Sequence, residues 1–498
     1  MTQRGQSERL SAQDASFLYL ERKESPLHIG SIAVFEGQVA YKDFVENIRS
    51  KLHLIPRYQQ IVLPAPLNLG HPTWEWDQEF DLARHIFQVN IDGPGTDQQL
   101  HEKAAEIFAP MLGREKPLWE LNLVNGLEGN RSALITKVHH CLVDGVSGIE
   151  LLMIMLDVSP TPIPPMPAPE FEKEPPPPPL TRLIDALLDN AKADIDRFAA
   201  RRSLVLDVAG GETQVRSIAR AMETAVPYFQ VPVTRAPFNK PLREARRVAF
   251  SEFSFAEIRQ IRQAAGGTVN DVVLTVLGGA LGRYFELHGQ GTEGRTARVL
   301  MPVNVRREAE KAALGNRVSM LLIEVPVGLS DPLERLRAIT TRTDSLKRQR
   351  IADGIETLST VLGSAPPILQ SAMSQFPTPP NTVANMVCTN VPGPMIPLYS
   401  LGHRLLGHYP LVPLGWEMGI GLGVTSYDQK LYFGYMADAE AAKDVQRLKE
   451  FTDQAFVELR SAAGVERSDL PQLGVSAPAQ SQRHATGATP QALAADAS

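Results

Sequence analysis

Cysteine is nearly absent. The 498 residues hold two, Cys141 and Cys388, too few for a disulfide framework and in keeping with a reducing compartment. Long apolar runs are missing too: Val272–Leu281 is short and soon followed by Arg283, well under the roughly 20 residues that cross a bilayer. Met1–Leu10 is polar and lacks the apolar centre of a secretory signal. A basic excess is lacking as well. The formal net charge is -6, which argues against a nucleic-acid partner, since such proteins carry a positive footprint. These absences predict a cytoplasmic protein, either soluble or attached peripherally to the inner membrane or lipid droplets. No internal repeat is visible. What remains is 43% hydrophobic and 21% charged, ordinary for a globular chain long enough for two domains.

Hydrophobic periodicity divides the chain. Ser11–Asp14 reads S-x-x-D ahead of Phe17 and Leu18, a helix cap. A strand over Leu27–Phe35, a helix with Tyr41, Phe44, Ile48 and Leu52 on one face, and a helix over Leu100–Leu112 open an α/β half. Between Pro160 and Pro179, 11 of 20 residues are proline, a polyproline linker or crossover. Leu180–Phe198 carries Leu180, Ile184, Leu187, Leu188, Ala191, Ile195 and Phe198 on one face, an amphipathic helix that either packs on the domains or meets a lipid surface. A second α/β half begins near Val248. It has helices over Phe255–Ala265 and from Val269, strands over Arg298–Val305 and Arg317–Val327, and helices over Pro332–Lys347 and Ile355–Phe376. Beyond these come a strand Met386–Val391, a hairpin of Ile420–Tyr427 with Leu431–Met436 across a three-residue turn, and a last helix capped by Asp438. The expected domains are 1–159, a linker with crossover helices over 160–247, a second half over 248–466, and a disordered tail over 467–498.

Ala133–Glu150 concentrates the chemistry. A strand pattern runs into His139 and His140, then Asp144 and Gly145 follow in a loop. A neutral imidazole at a strand end suits a general base near pH 7. Two other readings of the residues stay open: structural histidines, or a metal held by His140 and Asp144 at i, i+4. No third ligand stands at a recognisable spacing, so no metal is expected.

His139, His140, Asp144 and Gly145 together form H-H-x-x-x-D-G, which resembles the motif of acyltransferases with the chloramphenicol acetyltransferase fold. Pro117-Leu118-Trp119, Asn270-Asp271, Pro302-Val303-Asn304-Val305-Arg306, Gly315-Asn316 and Asn390-Val391-Pro392-Gly393-Pro394 resemble, in order, the bacterial wax ester synthase/diacylglycerol acyltransferase family over roughly residues 10–460. Thr389 and Asn304 stand where serine is common, small polar exchanges that leave His140 and Asp144 untouched.

The resemblance implies two chloramphenicol acetyltransferase-like α/β domains, each a mixed β-sheet flanked by helices, with the active-site channel between them. It also implies transfer of a long-chain acyl group from acyl-CoA, a substrate, to diacylglycerol or a long-chain fatty alcohol, with no cofactor. His140 would accept the proton, Asp144 would orient its loop by accepting backbone hydrogen bonds or by pairing with an arginine, Arg57 or Arg306, and His139 would support. Cys141 would only pack. Gly145, Pro117, Leu118, Trp119, Asn270, Asp271, Asn390, Pro392 and Gly393 would shape the channel. The rival implications are an acyl donor carried on a protein, or a lipid-binding or lipid-droplet protein without chemistry.

Overall fold

The computed structural model describes residues 8–143, 152–162, 173–189, 191–192, 233–304, 318–348, 367–368 and 383–468. The remainder of the expected amphipathic helix (193–198), most of the Ile355–Phe376 helix, most of the proline run, Gly315-Asn316 and the tail from 469 lie outside the described residues.

Two six-stranded mixed sheets form the frame, as the resemblance implies, with a three-stranded sheet beside them. The first large sheet runs, in spatial order, Tyr399–Ser400, His403–Leu411, His28–Glu36, Arg131–His139, Trp119–Leu127 and Ile86–Asn90. Only its last pair is parallel. The second runs Val318–Pro326, Thr296–Asn304, Met386–Val391, Ile420–Tyr427, Lys430–Asp438 and Arg246–Ser254, with Met386–Val391 parallel to both its neighbours. The small sheet joins Glu8–Arg9, Thr73–Trp76 and Gln60–Leu63.

His403–Leu411 is the unexpected strand. It lies late in the sequence yet pairs with His28–Glu36 in the first sheet. Gly407 and Pro410 interrupt its periodicity, which hides it from pattern reading. The register shifts between Leu405 and Gly407 because a bulge absorbs the irregularity.

Helix ends follow local chemistry. Ser11 and Thr96 accept hydrogen bonds from the backbone N–H of Asp14 and Gln99, and Thr268 and Asp271 form a reciprocal capping box. Gly266 ends the Phe255–Ala265 helix at φ +85°. Two expectations need correction. The hairpin turn has two residues, Asp428 and Gln429, both left-handed, the geometry that matches strand twist. Asp438 does not cap the last helix: its Oδ1 accepts from Glu440 and Ala441, and the helix starts at Val445.

Strand alternation decides which face each residue serves. Leu134 and Val138 point to a core with Phe44, Ile48 and Leu52 of the Tyr41–Lys51 helix. Ala133 and Ile135 point the other way, into a core shared with Leu100 and Phe108 of the Asp97–Phe108 helix and with Val248, Phe250 and Met436 of the second sheet. The halves are therefore packed through a common apolar layer. Val269–Leu287 is buried on nearly all sides of the second half. Gly282 permits this closeness, since a Cβ there would meet the Val327 carbonyl oxygen at 2.3 Å. Among the described residues no single helix is long and apolar enough to cross a membrane; Phe255–Ala265 and Val269–Leu287 qualify by length and composition only as a pair bent by 96°.

Candidate active site

His139 continues the alternation of Ala133 and Ile135 and is buried, facing the Asp97–Phe108 side of its sheet. Its backbone N–H donates to the Leu118 carbonyl at 2.9 Å, and Trp119 pairs with Val138. Pro117-Leu118-Trp119 thus forms the bed on which the histidine strand ends. Trp119 is itself fixed: its indole N–H donates to the Tyr58 carbonyl at 2.8 Å, and its ring stacks on His85 at 4.3 Å.

The His139 ring has an assigned tautomer. Nδ1 accepts the Cys141 N–H at 3.1 Å, so the neutral ring carries its proton on Nε2, which faces Glu21 Oε1 at 3.4 Å. Both side chains are 1% exposed. Glu21 Oε1 also accepts the Leu27 N–H at 3.0 Å, and Oε2 accepts Arg114 Nη2 at 3.1 Å. Burial alone would raise this carboxyl. The contacts with His139, Leu27 and Arg114 outweigh it and hold Glu21 down at about 2.

His140 differs from its neighbour. It sits in the turn after the strand and is half-buried, with its ring stacked on Phe17 at 4.1 Å and 8°. Its backbone N–H donates to the Leu27 carbonyl at 2.9 Å. Leu27 therefore links the two: its N–H is held by Glu21 and its carbonyl holds His140. The Glu21–Leu27 connection is also fastened to the second half. Ser25 Oγ donates to the Leu414 carbonyl at 2.6 Å, and Arg246 Nη2 donates to the Glu24 carbonyl at 2.7 Å.

Other titratable groups around the strand are held neutral or inert. His28, paired with His139 across the sheet, donates from Nε2 to the Phe108 carbonyl at 2.7 Å; burial and the nearby Lys137 charge push it well below the usual histidine range. Lys137, buried and bonded to the Ile107 and Pro110 carbonyls, is lowered to about 8 by desolvation. Cys141 is buried among Leu18, Leu112 and Leu118, and its thiol is pushed far up by desolvation. A thiol in that state is a poor nucleophile. Among the described residues no group of three or more His, Cys, Asp or Glu is placed to hold a metal ion.

Asp144 and Gly145 lie outside the described residues, as does Arg306. Arg57, the other suggested partner of Asp144, pairs with Glu8 and lies over the Trp74 ring at 4.8 Å.

The remaining motif residues gather in the second half. Asn390 Nδ2 donates to Asn270 Oδ1 at 2.6 Å, joining the end of the Met386–Val391 strand to the start of the Val269–Leu287 helix. Asp271 is fully buried and acts as a cap: Oδ2 accepts from the Thr268 N–H and hydroxyl, and Oδ1 accepts from Thr343 Oγ1 at 2.8 Å. After Pro392, Gly393 is pressed against the next strand, where a Cβ would meet the Ser426 carbonyl oxygen at 2.3 Å. Sequence reasoning missed Glu21, Leu27, Phe17 and Arg114. None stands in a motif, and Phe17 was legible only as an apolar position of a capped helix.

The chain is similar to known proteins along most of its length. The wax ester synthase/diacylglycerol acyltransferase catalytic domain matches residues 10–273, and the C-terminal domain of that family matches residues 314–460. A probable diacylglycerol O-acyltransferase of Mycobacterium tuberculosis, tgs1, is 29% identical over 458 residues, covering 90% of this chain and 95% of the relative. A second from that organism, tgs2, is 28% identical over 473 residues, covering 91% and 98%. The wax ester synthase/diacylglycerol acyltransferase of Marinobacter aquaeolei VT8 shares the fold, with a TM-score of 0.63, 24% identity, and coverage of 92% of this chain and 100% of that one. So does the first condensation domain of the calcium-dependent antibiotic synthetase, with a TM-score of 0.59, 14% identity, and coverage of 92% and 97%. The chain belongs to the wax ester synthase/diacylglycerol acyltransferase family.

Proposed function

We propose that the protein transfers a long-chain acyl group from acyl-CoA to the hydroxyl of diacylglycerol, a long-chain fatty alcohol, or both, with His140 as general base and no cofactor. The observation that carries this reading is the division of labour within the tandem histidines. His139 is sealed, with Nδ1 accepting the Cys141 N–H and Nε2 lying 3.4 Å from Glu21 Oε1, whereas His140 is only partly buried in the turn beyond the strand. That difference favours the second imidazole as the one that meets a substrate hydroxyl.

In this mechanism His140 takes the alcohol proton as the oxygen attacks the thioester carbonyl. As the tetrahedral adduct collapses, the C–S bond breaks and the proton passes to the CoA sulfur. Transfer is direct, with no acyl-enzyme, in keeping with the suppressed Cys141 thiol. Asp144 orients the loop that follows His140. The Asn270–Asn390 pair and the turn at Pro392 and Gly393 brace the facing wall of the channel.

The test is to incubate purified protein with palmitoyl-CoA and either dipalmitoylglycerol or hexadecanol and to resolve the lipids by thin-layer chromatography. Triacylglycerol or wax ester is expected. His140→Ala, folded by circular dichroism, should lose about 10² to 10⁴ in rate. Retention of more than about a tenth of the activity would remove His140 as the base. Product formed only from an acyl-carrier-protein donor would overturn acyl-CoA dependence.

A further inference from the structure

One helical turn reaches both members of the tandem histidine pair. The Ala12–Leu20 helix carries Phe17, whose ring lies flat on the His140 imidazole, with centroids 4.1 Å apart and planes 8° from parallel. Glu21 follows at i+4 as the residue that ends this helix, and its N–H donates to the Phe17 carbonyl at 3.1 Å. That spacing puts the two side chains on one face. The carboxylate 3.4 Å from His139 Nε2 and the ring that covers His140 are therefore set by the same turn.

The helix is firmly seated. Ser11 Oγ accepts the Asp14 N–H at its start, and Ala15 and Leu18 are buried against Trp74, Leu112, Leu118 and Cys141. Near its end the Leu18 carbonyl accepts Arg114 Nη2 at 2.8 Å, and the Tyr19 hydroxyl meets His71 Nδ1 at 3.2 Å. Phe17 is partly buried and packs on the same apolar cluster. Its ring is held by the helix and not by the histidine.

Such a support has two effects on an imidazole. The χ2 torsion of histidine is soft, and His140 lies past the end of its strand, where the pleat no longer directs its side chain. A base must aim a ring nitrogen's lone pair, which lies in the ring plane, at the hydroxyl proton. Flat contact with Phe17 confines that plane. The second effect is electrostatic. The face of a phenyl ring is the negative pole of its quadrupole, so an imidazole lying on it gains attraction on becoming cationic. His140 acquires that charge as the alcohol proton arrives. The gain is thus larger in the transition state than in the resting enzyme, the condition under which an interaction raises kcat.

We infer that Phe17 is a positioning residue for the acyl transfer: its ring holds the His140 imidazole in one plane and stabilises the imidazolium formed on proton uptake. This rests on His140 acting as the base, as proposed above.

The experiment separates ring electrostatics from packing. Phe17 is replaced in the full chain by mono-, tri- and pentafluorophenylalanine, which keep the ring's shape closely while draining its face of negative charge. With palmitoyl-CoA and either acceptor, kcat should fall stepwise, by about 3- to 30-fold in total at the pentafluoro ring, with KM within about twofold. Phe17→Leu should lose at least as much, and Phe17→Tyr should recover most of what leucine loses. Proton spectra of protein labelled isotopically at histidine give a reading without turnover. The His140 ring signal, identified by its loss in His140→Gln, should lie upfield in wild type through the ring current of Phe17 and move downfield in Phe17→Leu. The wild-type position alone decides the stacking if Phe17→Leu does not fold. A flat fluorination series, a loss confined to KM, failure of Phe17→Tyr to recover, or a His140 signal without the upfield displacement would each overturn the inference. Activity retained by His140→Ala refutes the proposed base itself; an inactive His140→Ala beside a flat fluorination series refutes the role of Phe17 alone.

Discussion

Replacing Glu21 with glutamine tests the least visible part of the site. The side chain keeps its size but loses its charge, and two donors converge on it, the Leu27 N–H and Arg114 Nη2, with His139 Nε2 3.4 Å away. The carboxyl is held at about 2 against an ordinary 4.5. A depression of that size corresponds to about 3 kcal/mol favouring the charged, folded form. The sign follows from the direction of the shift. With a folded value below the unfolded one, the stabilisation is full above about pH 4.5 and is lost as pH falls toward 2. In urea denaturation at pH 7, Glu21→Gln should therefore be less stable by about 2–3 kcal/mol. The gap should narrow to about half between pH 5 and pH 3, where the carboxyl of the unfolded chain takes up its proton while the folded one stays ionised. Catalysis should suffer separately. Leu27 and His139 would lose the anion that fixes them, and misplacement of the His140 backbone by a fraction of an ångström to 1 Å can cost up to about 10² in rate. The loss should appear in kcat more than in KM, since the residue touches no substrate. A variant within about 0.5 kcal/mol of wild type and within about twofold in kcat would refute the role given to Glu21.

Two further outcomes follow from the geometry. Cys141→Ala should retain most activity, and iodoacetamide at about pH 8 should label neither cysteine in the native chain, because burial raises the Cys141 thiol far above its usual value and pushes Cys388 up to about 12; rapid labelling with loss of activity would reopen covalent catalysis. Asn270→Ala and Asn390→Ala should show a coupling of about 0.5–1.5 kcal/mol in a double-mutant cycle on stability, from the 2.6 Å bond between their side chains; strictly additive effects would show that the bond contributes nothing.

Much of this protein was legible in its sequence because the information was local. The helix over Phe255–Ala265 ends at Gly266 and the strand Met386–Val391 ends before Pro392, as periodicity and breakers dictate. The resemblance carried by H-H-x-x-x-D-G and its companion segments fixed the family and the fold class. Distinguishing His139 from His140 took the end of the strand: His139 is its last residue and is sealed by what packs there, whereas His140 already belongs to the turn. Glu21 lies 118 residues before His139, so no spacing rule could join them. The His403–Leu411 strand was hidden because Gly407 and Pro410 break its pattern, yet pairing with His28–Glu36 supplies the hydrogen bonds that its own periodicity does not announce. The amphipathic stripe at Leu180, Ile184, Leu187 and Leu188 was plain from spacing alone. Spacing defines a face without its direction; the anchoring of Ala186, Asp189 and Arg182 turns that face outward, and only tertiary contacts could decide it.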